Sequence, residues 1–246
     1  MSDVPSADPT PGQVPRLDFE LTAACDHRCA HGYNVWGAAP EDPGGEPLLA
    51  AGALDLVAHA CALVPSVTII TNGSHVPAST AKRLGELGVG AVQLTLLAGD
   101  RTLHDELKGA VCFDDTLRAA VELVEAKVPV QCCYVAMSRN EGQLERVMQL
   151  CHVLGIRAVS YNRMSPTGGA VHYVERLMPS IEAIEADLEV ADRVGRAYGI
   201  EVGTAMPIPP LLGPTRTVSP RAIWALLHWI VLPQPGGRRS RQCAKL

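Results

Sequence analysis

The chain has 246 residues, of which 47% are hydrophobic and 19% are charged, and this composition predicts one large globular domain rather than a disordered chain. The net charge of -5, without a long run of lysine or arginine, argues against a nucleic-acid-binding surface or a membrane-surface patch. Small molecules, peptides or proteins are therefore the expected partners.

Residues 1–15 contain acidic residues and prolines where a secretory signal would have a basic start and an apolar segment, so nothing predicts export. We expect this segment to be disordered and the protein to be cytoplasmic. In that compartment the eight cysteines are expected to be reduced thiols, metal ligands or core residues rather than disulfides.

Apolar β-rich segments alternate with amphipathic segments along residues 16–210, which we take as one β/α domain. The predicted strands are 17–22, 67–71, 92–97, 128–137, 156–163 and 200–206. The predicted helices are 49–64, 80–88, 114–127, 142–155 and 180–199, and glycines 88, 155 and 199 stand at expected helix ends. This alternation predicts a parallel sheet. With five or six units, we favour a partial or complete (β/α) barrel over a doubly wound open sheet, and the absence of a phosphate-binding glycine loop after the first strand agrees with this choice.

Residues 211–246 are interpreted as a truncated C-terminal extension. Residues 222–232 form an apolar run that is too short to span a bilayer, so we expect a buried or interfacial helix there. The segment from residue 233 onward is basic and poor in apolar residues, and we expect it to be disordered.

Two cysteines stand apart from the others because each is followed two residues later by a histidine. Cys25 precedes His27, and Cys29 precedes His31. Thiolates and imidazoles bind zinc and iron-sulfur clusters, so we interpret this loop as metal-related, with a zinc site as one alternative. The remaining cysteines are interpreted as core residues, except for the last, which lies in the basic tail: Cys61, Cys112, Cys132, Cys133, Cys151 and Cys243.

The spacing of Cys25, Cys29 and Gly32 resembles the CxxxCxxC loop of the radical S-adenosylmethionine (radical SAM) superfamily, with glycine at the third cysteine. Residues 44–48 (GGEPL) match the GGEP motif of that family, and residues 71–73 (TNG) match its next motif. Residues 94–109 resemble its strand with Ser or Thr followed by HD and KG pairs. The resemblance extends in order over about residues 17–206 and is strongest to the peptide- and protein-modifying branch with C-terminal SPASM-type cluster domains.

The resemblance implies a partial (β/α)6 barrel in which loop cysteines bind a [4Fe-4S] cluster and the fourth iron binds S-adenosylmethionine. It also implies radical modification of a peptide, protein or small molecule, with a flavodoxin or ferredoxin as the reductant. Cys25 and Cys29 are the implied metal ligands, and no catalytic residue is assigned. The implied cofactor contacts are the backbone of Tyr33 near the adenine, Gly44, Gly45 and Glu46 at the methionine ammonium, and Thr95 at its carboxylate or ribose.

The chain departs from the family pattern at Gly32, which has no thiolate, and neighbouring His31 is displaced by one residue. We therefore expect a cluster that is labile or absent, and activity that is impaired or lost. A catalytically inactive scaffold or binding protein derived from the family is the alternative function. No nucleic acid partner and no transmembrane segment are expected.

A second departure lies between Trp36 and Gly44, where the seven intervening residues are fewer than the roughly 10–12 that a parallel crossover needs. We therefore expect the first helix and second strand of the family barrel to be missing. This predicts that Glu46 lacks the strand that would orient it.

Overall fold

The structure is a computed structural model that describes residues 21–22, 24–29, 31–32, 45–166 and 168–204. Several predictions lie outside these residues. They concern the N-terminal segment, most of the strand at 17–22, the stretch 33–44 with Tyr33 and Gly44, and the C-terminal extension from residue 211.

The described strands form one parallel sheet whose spatial order follows the chain. They are β1 (Thr68–Thr71), β2 (Ala91–Thr95), β3 (Val130–Ala136), β4 (Ala158–Arg163) and β5 (Glu201–Gly203). Each strand pairs with its successor and the order never reverses, which is the connectivity of a barrel rather than of a doubly wound sheet. The prediction of a parallel α/β partial barrel is confirmed.

Helices connect successive strands and cover the sheet. They are α1 (Ala53–Leu63), α2 (Ala78–Leu87), α3 (Arg101–Lys108), α4 (Phe113–Glu125), α5 (Leu144–Val153), α6 (Val174–Leu177) and α7 (Ile181–Tyr198). Short 3-10 helices occupy Pro47–Leu49, Ser138–Asn140 and Gly168–Tyr173. Within the described residues, no helix is both long and apolar enough to cross a membrane.

Glycine ends the helices where the sequence predicts it. Gly88 and Gly199 adopt left-handed φ angles of 66° and 64° as the C-caps of α2 and α7, and Gly155 has a φ of 80° just after α5. A side chain at these angles would clash with the backbone, which explains the preference for glycine.

The helix α3 was not predicted, although both of its ends carry ordinary signals. The Asp100 side chain accepts a hydrogen bond from Leu103 N at 2.9 Å, and Gly109 ends the helix with a φ of 61°. Eight residues give too little apolar periodicity to distinguish such a helix from a loop in the sequence.

Apolar side chains between the sheet and its helices form the main core, in which residues such as Leu84, Leu94 and Leu123 are fully enclosed. Burying one such leucine contributes roughly 1.5–3 kcal/mol to folding. Four cysteines are buried and a fifth is half-buried, which confirms their interpretation as core residues: Cys112, Cys132, Cys133, Cys151 and Cys61.

The strand β1 is an edge of the described sheet, and its Ile70 is 47% exposed. Exposed apolar side chains on an unpaired edge promote association between chains. We expect the protein to self-associate and Ile70→Lys to shift it toward the monomer in light scattering after size-exclusion chromatography. The control is Val111→Lys, which makes the same change at an exposed position outside the sheet. A wild-type chain that stays monomeric at high concentration would contradict this prediction.

Candidate functional site

The carboxyl ends of β1 and β2 bring the sequence motifs to one edge of the sheet. Thr71 ends β1 and Thr95 ends β2, and the two strands are parallel. The loop that carries Cys25 and Cys29 is hydrogen-bonded to elements that begin at this edge. Ligands bind at this edge in parallel α/β folds.

Glu46 is buried and is held by the end of β1. Its Oε1 accepts hydrogen bonds from Thr71 Oγ1 at 2.7 Å and from Leu48 N at 3.1 Å, and its Oε2 accepts one from Asn72 N at 2.7 Å. We expected Glu46 to be poorly oriented because a strand is missing, and this expectation is wrong, since Thr71 and Asn72 orient it. The missing strand itself falls on residues 33–44, outside the described residues. A carboxylate has about four acceptor positions, so one remains for a donor from a ligand.

Gly45 is a glycine because another backbone segment passes directly beside it. A Cβ at this position would lie 1.8 Å from Thr22 O, and the next residue donates a hydrogen bond from Glu46 N to Ala24 O at 2.8 Å. This close approach joins the GGEP segment to the start of the cysteine loop. This packing does not test the predicted contact of Gly45 with a ligand ammonium, which stays a prediction.

The first half of the cysteine loop is fixed by the residues that follow β1. Asn72 Nδ2 donates to Asp26 Oδ1 at 2.7 Å and lies 4.0 Å from Cys25 Sγ, while His75 Nε2 lies 3.0 Å from Asp26 Oδ2. Burial raises the pKa of Asp26, but the hydrogen bond from Asn72 and the nearby His27 outweigh it and lower the pKa overall. Asp26 and His75 were not predicted as site residues.

The second half of the loop packs on the C-terminus of α3. Arg28 N donates to Lys108 O at 3.0 Å, and Cys29 Sγ lies 3.6 Å from the same oxygen. Gly109 permits this approach, since a Cβ there would lie 2.5 Å from Arg28 O. The carbonyl oxygens at a helix C-terminus need donors, and the loop supplies them.

Lys108 is only 3% exposed, and within the described residues its ammonium has no hydrogen bond or ion pair. Its charge lies close enough to lower the pKa of the Cys29 thiol, although burial has the larger effect and raises that pKa overall. A buried charge is costly unless an opposite charge compensates it. Lys108 therefore indicates a place for an anion beside Cys29.

Three buried imidazole nitrogens lack a partner in the described parts of the chain: His27 Nδ1, His31 Nδ1 and His104 Nε2. Burial, and then the charge of Lys108, lowers the pKa values to about 4 for His27 and about 3 for His31 and His104. All three rings are therefore neutral at pH 7. Buried polar atoms are almost always paired, so this concentration of unpaired nitrogens indicates that the site binds a further group.

The ring of His104 can donate but not coordinate a metal. Its Nδ1 accepts a hydrogen bond from Leu97 N at 3.2 Å, so the proton of the neutral ring lies on Nε2. Ligand atoms of His104, Asp105 and Cys112 lie within 4.8 Å of one another. However, Asp105 Oδ1 already accepts from the backbone N–H groups of Cys112 and Phe113, so this group is a structural cap rather than a metal site.

The geometry argues against the zinc alternative. Zinc–ligand bonds of about 2.0–2.3 Å hold the ligand atoms of a tetrahedral site within about 4 Å of one another. No three ligand atoms from Cys25, His27, Cys29 and His31 lie within 4.8 Å of one another, although all four residues are described. A cluster, whose ligands bind different irons, tolerates wider spacing.

A family model described as the radical SAM superfamily matches residues 35–151, which include the segment containing Glu46, Thr71–Gly73 and Lys108. This segment, just under half of the chain, belongs to the radical SAM superfamily. The matched residues begin after Cys25 and Cys29, so the role of the cysteine loop rests on its own spacing and stays a prediction. Hydrogen bonds from Thr71 and Asn72 of the TNG motif to the Glu46 carboxylate hold the GGEP and TNG motifs together.

Curated relatives include PqqA peptide cyclase of Streptomyces rochei, with 28% identity over 63% of this chain and 43% of the relative. Mycofactocin maturase MftC of Mycobacterium tuberculosis H37Rv is 26% identical over 68% of this chain and 49% of the relative. This radical SAM chain thus spans less than half the length of these relatives.

Among solved structures, Streptococcus suis SuiB bound to S-adenosylmethionine matches with a TM-score of 0.63 and 18% identity, covering 82% of this chain and 51% of SuiB. SuiB bound to the precursor peptide SuiA also has a TM-score of 0.63. At this identity the likeness establishes the fold alone, in agreement with the parallel sheet described above.

Proposed function

We propose that this chain is a radical SAM domain that binds a [4Fe-4S] cluster and S-adenosylmethionine at the carboxyl ends of β1 and β2. Cys25 and Cys29 supply thiolates to the cluster. The observation that carries this proposal is the Lys108 side chain, which is only 3% exposed and whose charge acts on the Cys29 thiol, while no ion pair brings an opposite charge into contact with it among the described residues. A thiolate-bound cluster is an anion and would provide that charge.

The residues present fit the cluster in donor type and in charge, with one thiol fewer than the family pattern. Sulfur ligands and a nearby buried cation suit iron-sulfur binding. The unpaired nitrogens of His27, His31 and His104 provide further polar contacts in the same place. Gly32 provides none, so we infer that the cluster is held less firmly than by three thiolates.

Bound together, the cluster and S-adenosylmethionine supply radical chemistry that removes a hydrogen atom from a substrate. The remaining acceptor position of Glu46 suits the ammonium of the methionine group. Thr95, which is half-buried at the end of β2, lies at the same edge and is the residue that we propose for the carboxylate or ribose. Tyr33 and Gly44 complete the cofactor contacts that we propose, and both lie outside the described residues.

The substrate that we propose is a peptide or protein. Relatives named for peptide cyclisation, and the SuiB structure with its precursor peptide, support this class. This chain spans less than half of those proteins, and we propose the activity for it on the basis of the candidate site. A cytoplasmic location and a flavodoxin or ferredoxin as reductant fit the same chemistry.

An inactive scaffold is the second candidate function, and Gly32 is the observation that favours it. Such a protein would keep the fold and the buried network of Glu46 but hold no cluster. Cluster content after reconstitution therefore separates the two functions.

Anaerobic reconstitution tests the proposed function by measuring iron, sulfide and zinc in one sample. We expect little iron in the purified protein and close to one [4Fe-4S] cluster per chain afterwards, with S-adenosylmethionine binding in equilibrium dialysis. Formation of 5′-deoxyadenosine is expected to be weak. The Cys25→Ala/Cys29→Ala variant is the control and should bind no cluster. Absence of any cluster would favour the scaffold, whereas stoichiometric zinc would favour the zinc site.

A further inference from the structure

The cysteine loop turns back on itself immediately after Cys29. Gly32 N donates a hydrogen bond to Cys29 O at 3.0 Å, which closes a four-residue turn with His31 at its third position. The turn is anchored, because Arg28 N is bonded to Lys108 O and Cys29 Sγ contacts the same oxygen. His31 is thus held near the point where the family pattern places its third ligand.

The described site contains three imidazoles with an unpaired nitrogen, and His31 is the one best placed to replace that ligand. His104 uses Nδ1 to accept from Leu97 N, so it has no free lone pair. His27 lies between the two cysteines and is held by Ser74 Oγ at 3.0 Å from its Nε2. His31 follows Cys29, and its Nδ1 is buried without a partner among the described residues.

We propose that His31 Nδ1 is the third protein ligand of the cluster, in place of the cysteine that Gly32 lacks. This proposal rests on the proposed function. The neutral ring donates the Nδ1 lone pair to an iron atom and keeps its proton on Nε2, so ligation releases no proton. The longer reach of an imidazole, compared with a thiolate, offsets the displacement by one residue.

Ligation by His31 has an electrostatic consequence that can be measured. A neutral imidazole leaves the cluster one negative charge short of the family pattern, and replacing cysteine by histidine raises the reduction potential in Rieske centres. The cluster of the wild-type chain should therefore have a higher potential than that of a Gly32→Cys variant, in which a thiolate is available.

The direct test uses wild-type protein labelled with ¹⁵N only in histidine, reconstituted and reduced without S-adenosylmethionine. Pulsed electron paramagnetic resonance should show ¹⁵N hyperfine coupling to the cluster, and His31→Ala should abolish it. A cluster without this coupling would overturn the proposal about His31 and leave the proposed function standing. Failure of the wild-type chain to form any cluster would overturn both.

Variants give a second, independent readout in the rate of cluster loss to a chelator. Loss of a group that merely supports a metal ligand costs roughly 10–100-fold in metal affinity, so His31→Ala should accelerate loss at least tenfold. His59→Ala, an exposed histidine on α1, is the matched control and should have no effect. Adding Gly32→Cys to His31→Ala should restore retention. If His27→Ala, rather than His31→Ala, removes the ¹⁵N coupling, the proposal is wrong.

Discussion

Gly32→Cys is expected to raise the iron content of the purified protein several-fold and to slow loss of iron to a chelator. The substitution restores the third thiolate at the spacing that Cys25 and Cys29 begin. Thiolates anchor an iron-sulfur cluster and supply its charge, so a third one strengthens retention more than any change outside the loop. Iron and sulfide per chain, measured before and after reconstitution, give the result.

The control for this change is Ala51→Cys, which adds a thiol at an exposed position in the turn before α1. It should leave the iron content unchanged. Because Glu46 is oriented by Thr71 and Asn72, 5′-deoxyadenosine formation should rise together with iron content in Gly32→Cys. Equal iron retention in Gly32→Cys and wild type would show that the missing thiol does not limit cluster binding.

The strands, and most of the helices, could be predicted because the physical signals that define them are local. Apolar, β-rich runs mark the five described strands, and Gly88 and Gly199 mark helix ends through their left-handed φ angles. The helix α3 was missed because eight residues carry little periodicity. Asp100 and Gly109 are ordinary signals for the start and the end of a helix, but we interpreted residues 94–109 only as a family motif.

Within the candidate site, only the residues that belong to a spacing motif could be predicted from the sequence. Cys25 and Cys29 follow from a motif, but the neighbours of each thiol come from distant parts of the chain. Asn72 contacts the first half of the loop and Lys108 contacts the second, and neither contact follows from sequence separation. The support of Glu46 was also missed, since it comes from a side chain and a backbone N–H beyond the motif itself.

Lys108 shows most clearly why tertiary structure was needed. In the sequence it is only the basic residue of the KG pair, and a lysine at the C-terminus of a helix ordinarily interacts with the helix dipole while it remains solvated. In the structure it is buried beside Cys29, and its charge helps to keep three histidines neutral. We expect a charge in this position to lower the stability of the cofactor-free protein and to favour an anion at the site.

Lys108→Met is therefore expected to have opposite effects on stability and on cluster binding. Methionine fills a similar volume without a charge, and the backbone oxygen that binds the loop is retained. Replacing buried ionic groups by apolar ones can stabilise a protein by roughly 1–4 kcal/mol, so urea denaturation of the cofactor-free variant should show a higher free energy of unfolding. Cluster loss to a chelator should become about tenfold faster, as expected when a supporting group is removed.

The control is Lys82→Met, which removes the same charge from a side chain that is 79% exposed on α2. It should change neither the free energy of unfolding nor the rate of cluster loss appreciably, because exposed ion pairs contribute little to stability. If Lys108→Met destabilises the cofactor-free protein, the ammonium already has a favourable partner within the folded chain. If the cluster is retained equally well without the charge, Lys108 does not compensate an anion. The expected combination, a more stable protein that binds its cluster less firmly, would show that the fold keeps an unfavourable buried charge for the sake of the site.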